Sequence, residues 1–146
     1  MDFRAEYVRA DARSLERPVL EGLVGDNPPY QSPVFVLTHH ACAPLRMEGG
    51  TTFYFVTDGI ESALKKAKAE AKGKDVRIGG GVATVRQYLT AGQIDEVHLA
   101  MAPMFLGEGE HLFAGLNLHA LGFASIQTVA SEKATHVLIK RGEKLE

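Results

Sequence analysis

Apolar and polar residues follow one another along this chain in two rhythms, and the switch between them marks the elements. Val34-Phe35-Val36-Leu37 is an unbroken apolar run ending at Thr38-His39-His40, the pattern of a strand buried on both faces. Phe53-Tyr54-Phe55-Val56 predicts a second strand, rich in aromatic rings. The rhythm then changes to that of a helix. Ile60, Ala63, Leu64, Ala67 and Ala71 fall on one face, and Lys65, Lys66, Lys68 and Lys72 supply a wet one. Asp58 opens this helix, with Glu61 three residues on as in a capping box. Lys72 and Lys74 suit its negative pole, and Gly73 can stop it.

A short strand, Asp75-Val76-Arg77-Ile78, runs straight into Gly79-Gly80-Gly81. Residues 82–89 read as a helix with Val82, Val85 and Leu89 inward and Gly92 as its stop. Residues 94–101 form the next predicted strand, ended by Pro103 and followed by a loop containing Gly107-Glu108-Gly109. Residues 123–129 and 135–140 both alternate and are joined by a short polar turn, which makes them a hairpin. Residues 1–33 are less regular: a short strand at 6–8, a turn of helix at 12–17, and the breakers Gly25-Asp26-Asn27-Pro28-Pro29. Strands alternating with helices and then an antiparallel end predict a mixed α/β sheet.

Composition narrows the function. With 146 residues, 45% hydrophobic and 23% charged, the chain is expected to be a single soluble domain over 1–146 with an atypical part at 1–32. A net charge of -2, with Lys and Arg dispersed, offers no basic stripe for nucleic acid. No apolar run reaches membrane-span length, and the N-terminus lacks the apolar centre of a signal peptide. Cys42 is the lone cysteine, so no intramolecular disulfide forms and a cytoplasmic setting is expected. The histidines show no metal-ligand spacing, and no metal is expected. Asp95 and Glu96 are adjacent on a strand and point to opposite faces, so they make no shared carboxylate site.

The chemistry concentrates at Gly79-Gly80-Gly81-Val82-Ala83-Thr84. Without a Cβ, successive glycines reach positive φ and let backbone N–H groups approach a ligand. The helix that follows turns its positive end to the same place, so strand, turn and helix make an anion site suited to a pyrophosphate. A tight turn without a ligand would have the same residues. The Rossmann fingerprint fits poorly, because its third glycine falls at Thr84 and Asp95 and Glu96 begin the next strand where an acid should end it.

Ile78-Gly79-Gly80-Gly81, then Val85-Arg86-Gln87-Tyr88-Leu89 and Ile94-Asp95-Glu96-Val97-His98-Leu99, resemble the glycine turn, helix and next strand of the dihydrofolate reductase superfamily. Pro103-Met104-Phe105-Leu106-Gly107-Glu108-Gly109 with Leu112-Phe113 resembles a loop of its riboflavin-biosynthesis reductase branch, the RibD C-terminal domain. Residues 33–40 and Gly49-Gly50-Thr51-Thr52-Phe53 match the same branch, so the likeness covers 25–141.

This resemblance implies a three-layer mixed sheet of the dihydrofolate-reductase-like type with a C-terminal antiparallel hairpin. It also implies an NADPH-dependent reductase like the 5-amino-6-(5-phosphoribosylamino)uracil reductases, acting on a small-molecule substrate and pairing as a homodimer. Gly79, Gly80, Gly81 and Val82, with Ala83 and Thr84 beyond them, would face the pyrophosphate and nicotinamide end of NADPH. Thr38 and His39 would lie toward the adenosine end; a solvated loop pair is the plainer reading of His39 and His40. No residue is identified as the catalytic acid.

The opening of the chain departs from the family. The first strand and its helix are absent, and Glu6-Tyr7-Val8-Arg9-Ala10 stands near the place of a Gly-Arg turn without a glycine. In the family that first strand lies between the strand before the glycine turn and the strand after the helix. The chain is then a shortened product of a longer reductase, a rearranged sheet with residues 3–9 in the gap, or one partner of an intertwined dimer. A non-catalytic nucleotide binder, or a truncated relic, of the same fold is the alternative function.

Overall fold

The computed structural model describes residues 6–10, as backbone, together with 32–105 and 107–142. The helical turn expected at 12–17 and the breakers at 25–29 lie outside the described residues. The chain divides into two compact units, Met1–Val85 and Arg86–Glu146.

The first unit is built on a five-stranded sheet. Its strands are β1 (Glu6–Ala10), β2 (Val34–Leu37), β3 (Leu45–Arg46), β4 (Thr52–Val56) and β5 (Val76–Gly80), in the order β3-β4-β2-β1-β5. β4, β2, β1 and β5 are parallel, and β3 runs antiparallel to β4. Parallel strands are buried on both faces, which explains the unbroken apolar run in β2: Val34, Phe35 and Val36 are all buried. Register sets Val34 beside Phe53 and Val36 beside Phe55, and Val34, Val36, Leu45 and Phe53 close a core with Met47 and Phe55 against it. The alternate residues Phe35 and Tyr54 stack at 5.2 Å.

Helix α1 (Ile60–Ala71) lies across β2, β1 and β5. It buries Ala63, Leu64, Ala67 and Ala71, the predicted stripe with Ile60 half-buried at its start. The expected capping box does not form. Gly59, at φ 90, and not Asp58 holds the N-cap position, and it has no side-chain cap. The helix ends at Lys72, which is left-handed at φ 50, ahead of Gly73 at φ 86.

Helix α2 (Val82–Thr90) follows β5. The second unit then carries a three-stranded antiparallel sheet of β6 (Glu96–Met101), β7 (Phe123–Ala130) and β8 (Thr135–Arg141), in the order β6-β8-β7. The predicted hairpin is β7 and β8, with a bulge between Ser125 and Gln127. β8 also pairs with β6 from Glu96↔Lys140 to Met101↔Thr135. Arg141 ties the unit together. Its Nη1 donates to the Gly92 carbonyl at 2.8 Å, its Nη2 donates to the Ile94 carbonyl, and its guanidinium sits 5.0 Å from the centre of the Phe123 ring.

Among the described residues the eight strands form two sheets where one mixed sheet was expected. Nor does the strand at residues 6–10 join β5 to β6: β1 lies between β5 and β2 and spends both rows of its backbone groups on those neighbours. Among the described residues no strand pairs with the far side of β5 or the free side of β6. No helix among them is long and apolar enough to cross a membrane.

Candidate functional site

Register puts the ends of the four parallel strands at one edge of the first sheet. Val56 pairs with Leu37, Leu37 with Ala10, and Arg9 with Gly80. Thr57-Asp58-Gly59, Thr38-His39-His40 and Gly81-Val82 leave from that edge. Open α/β sheets bind ligands outside the carboxyl ends of their strands, so the topology alone selects this edge.

The glycine turn lies at its β5 end. Gly80 has φ 134 and Gly81 φ 70, conformations that side chains with a Cβ rarely adopt. A Cβ built on Gly80 would meet nothing within 4 Å: the glycine is required by its conformation, and space beside the backbone is open. The Gly81 carbonyl accepts from Thr84 N–H at 3.1 Å and Val85 N–H at 3.0 Å, which locks the first turn of α2 directly onto the strand end. No acidic residue stands in that first turn, so nothing offsets the positive pole of the helix. Val82 is half-buried, Ala83 exposed and Thr84 buried.

Thr38 and His39 leave the same edge two strands away, about 10 Å at ordinary strand spacing. Thr38 N–H donates to the Val56 carbonyl at 3.1 Å, and its hydroxyl accepts His40 N–H at 3.1 Å. These bonds fix the turn and leave the His39 ring exposed. The two groups of candidates are thus at one edge without being side by side.

One feature of that edge escaped the sequence reading. The Asp58 carboxylate accepts from the Ser62 hydroxyl at 3.0 Å and the Thr57 hydroxyl at 3.2 Å, with Lys66 Nζ at 3.4 Å. The Ser62 hydrogen bond, then that of Thr57 and the Lys66 charge, hold its carboxyl below the ordinary 3.8. The signal was the i, i+4, i+8 spacing of Asp58, Ser62 and Lys66 on one helix face. The β4 end of the edge thus carries an ionised carboxylate paired with a lysine.

Tyr88 in α2 is fully buried, and burial pushes its phenol up to about 12. It is therefore neutral at physiological pH.

Comparison with known proteins identifies the family and the fold. The family described as the RibD C-terminal domain matches residues 5–135. A solved structure from Shewanella sp. PV-4, a protein assigned to riboflavin biosynthesis, superposes with a TM-score of 0.67 at 23% identity, over 94% of this chain and 74% of that one. The diaminohydroxyphosphoribosylaminopyrimidine deaminase/5-amino-6-(5-phosphoribosylamino)uracil reductase of Thermotoga maritima superposes with a TM-score of 0.58 at 17% identity, over 95% of this chain and 45% of that one. At those identities the likeness is one of fold. YyaP of Bacillus subtilis (strain 168), an uncharacterized protein, is 36% identical over 59 residues, 40% of this chain and 31% of the relative.

Proposed function

The chain belongs to the RibD C-terminal domain family, and we propose that it is an NADPH-dependent reductase of the riboflavin-biosynthesis type, acting on a small heterocyclic or carbonyl compound. One observation carries this reading: a parallel strand ending in Gly80 and Gly81, both at positive φ, and opening directly into a helix. Bound NADPH would supply the hydride. The residues present fit it, since the open space at Gly80 lets a pyrophosphate reach the backbone and the N-terminus of α2.

The work of the chain is then to bind and orient. Gly79, Gly80 and Gly81 hold the backbone close to the phosphates, and Val82, Ala83 and Thr84 present the first turn of the helix. Thr38 and His39 stand toward the adenosine end. The exposed His39 ring can offer a ring N–H to a 2′-phosphate there. The exposed Cys42 suits a reducing cytoplasm, and we read the chain as self-associating. The unpaired sides of β5 and β6 among the described residues also support a second reading, in which the turn binds nucleotide without turnover.

The test is a titration with NADPH, followed by quenching of its fluorescence, on the wild type, Gly80→Asp and Ala83→Asp. Wild type is expected to bind at about micromolar Kd, a typical cofactor range. Gly80→Asp places a charge at the phosphate but also strains a backbone at φ 134. Ala83→Asp separates the two effects: an acid in the first turn favours the helix and repels the phosphate, so binding should fall at least about tenfold with no loss of fold. No binding by folded wild type would end the reductase proposal. Binding with no oxidation of NADPH by any offered substrate would favour the second reading.

A further inference from the structure

Two histidines that no part of the proposed function uses meet on the second unit's sheet. His98 Nε2 lies 3.1 Å from His136 Nδ1, and the rings stack at 5.2 Å with an interplanar angle of 28°. They occupy diagonal positions on β6 and β8: His98 pairs with Leu138, and His136 with Ala100. Both strands are held in register by the ladder between them, and β8 is held from its other side by β7. The two ring nitrogens are therefore brought together before any ligand arrives.

We propose that His98 and His136 form a two-histidine chelating site for a divalent first-row transition ion, copper(II) before the others. The geometry carries the proposal. Metal–imidazole bonds are about 2.0–2.1 Å, and two of them meeting at roughly 90–109° hold their nitrogens about 2.8–3.4 Å apart. The observed 3.1 Å lies inside that window, so an ion can take both nitrogens with the strands where they are. Imidazole suits copper, nickel and zinc, and the divalent series places copper(II) highest.

The surroundings leave room for the rest of the coordination sphere. His98 is exposed, and the residue paired with His136 on β6 is the small, exposed Ala100. Glu96, two residues along β6, is occupied by Lys140 at 2.7 Å. Among the described residues no third metal-ligating side chain joins the pair, so water or a small ligand completes the sphere. In the free protein one of the two facing nitrogens carries the proton that bridges them. On binding, that ring holds its proton on the other nitrogen, and both facing lone pairs turn to the ion. Two neutral rings release no net proton; an imidazolium would release one.

The experiment titrates the full chain with copper(II) ion in a non-chelating buffer, by calorimetry, alongside His98→Gln, His136→Gln, the double variant and His111→Gln. The expected result is one ion per chain. Affinity falls about tenfold or more in each of the first two variants, because losing either donor loses the chelate, and falls little further in the double variant. His111→Gln, a change in an exposed loop, keeps wild-type affinity. Absence of binding by the wild type, or equal binding by the double variant, overturns the proposal. A second measurement needs no substitution. Substoichiometric copper(II) should broaden the ring-proton signals of His98 and His136 before those of the other histidines, and the reverse order would overturn the proposal as well.

Discussion

At Tyr88 a single buried side chain sets an alkaline limit on stability. Its ring is fully buried, and burial holds the phenol at about 12 against an ordinary 10.0. Between those values the folded chain keeps a proton that the unfolded chain has lost. Stability is therefore whole below pH 10 and falls as pH rises toward 12, by on the order of 1–3 kcal/mol. Urea unfolding at stepped alkaline pH should show this loss, and Tyr88→Phe should remove it. Sequence periodicity marked Val82, Val85 and Leu89 as the inward positions of α2, of which only Leu89 is fully buried, and passed over Tyr88, because a phenol reads as half-polar until its surroundings are known. Arg141 was equally illegible. Its partners are the backbone carbonyls of Gly92 and Ile94, and a carbonyl leaves no trace in a side-chain pattern.

Elements follow the pattern more closely than their ends do. The stripe of α1, the strands β2 and β4, and the β7–β8 hairpin stand where the apolar rhythm put them. Their boundaries depend on single backbone torsions, which the rhythm does not encode. Gly59 displaced Asp58 from the cap of α1, and Lys72, not Gly73, became the first left-handed residue at its end. That position invites a test. A lysine at φ 50 bears the left-handed penalty that glycine escapes, so Lys72→Gly should raise stability by about 0.5–1 kcal/mol in thermal or urea unfolding. The glycine turn was legible for the same reason in reverse. Three consecutive glycines between a strand and a helix have few purposes, and the structure gives Gly80 and Gly81 the positive φ they permit. The Thr38–His39 turn was legible as a place and not as a partner, since only strand order reveals that it shares an edge with Gly81.

For the whole molecule, sheet order is what the sequence concealed. Nothing in Glu6-Tyr7-Val8-Arg9-Ala10 says which strands it will join, and pairing is a long-range choice made by register and burial. The outcome is two sheets with an unpaired side on β5 and on β6 among the described residues. Such sides are ready to pair with another strand. Self-association through them should appear in hydrogen exchange. The amides of β2, flanked on both sides and buried, should exchange slowly at any protein concentration. Those of β5 that point away from β1 should gain protection as concentration rises, and concentration-independent exchange there would count against pairing at this edge. The central place of β1 also sets when the first sheet can close. Glu6 lies beside Val76, a strand made seventy residues later. At a synthesis rate of about 5–20 residues per second, β1 waits on the order of 4–14 s for that neighbour. During translation the middle of the first sheet is thus the part completed late, with one flank bare to chaperones and to other nascent chains. The yield of folded protein should depend on how fast the ribosome travels from β2 to the glycine turn.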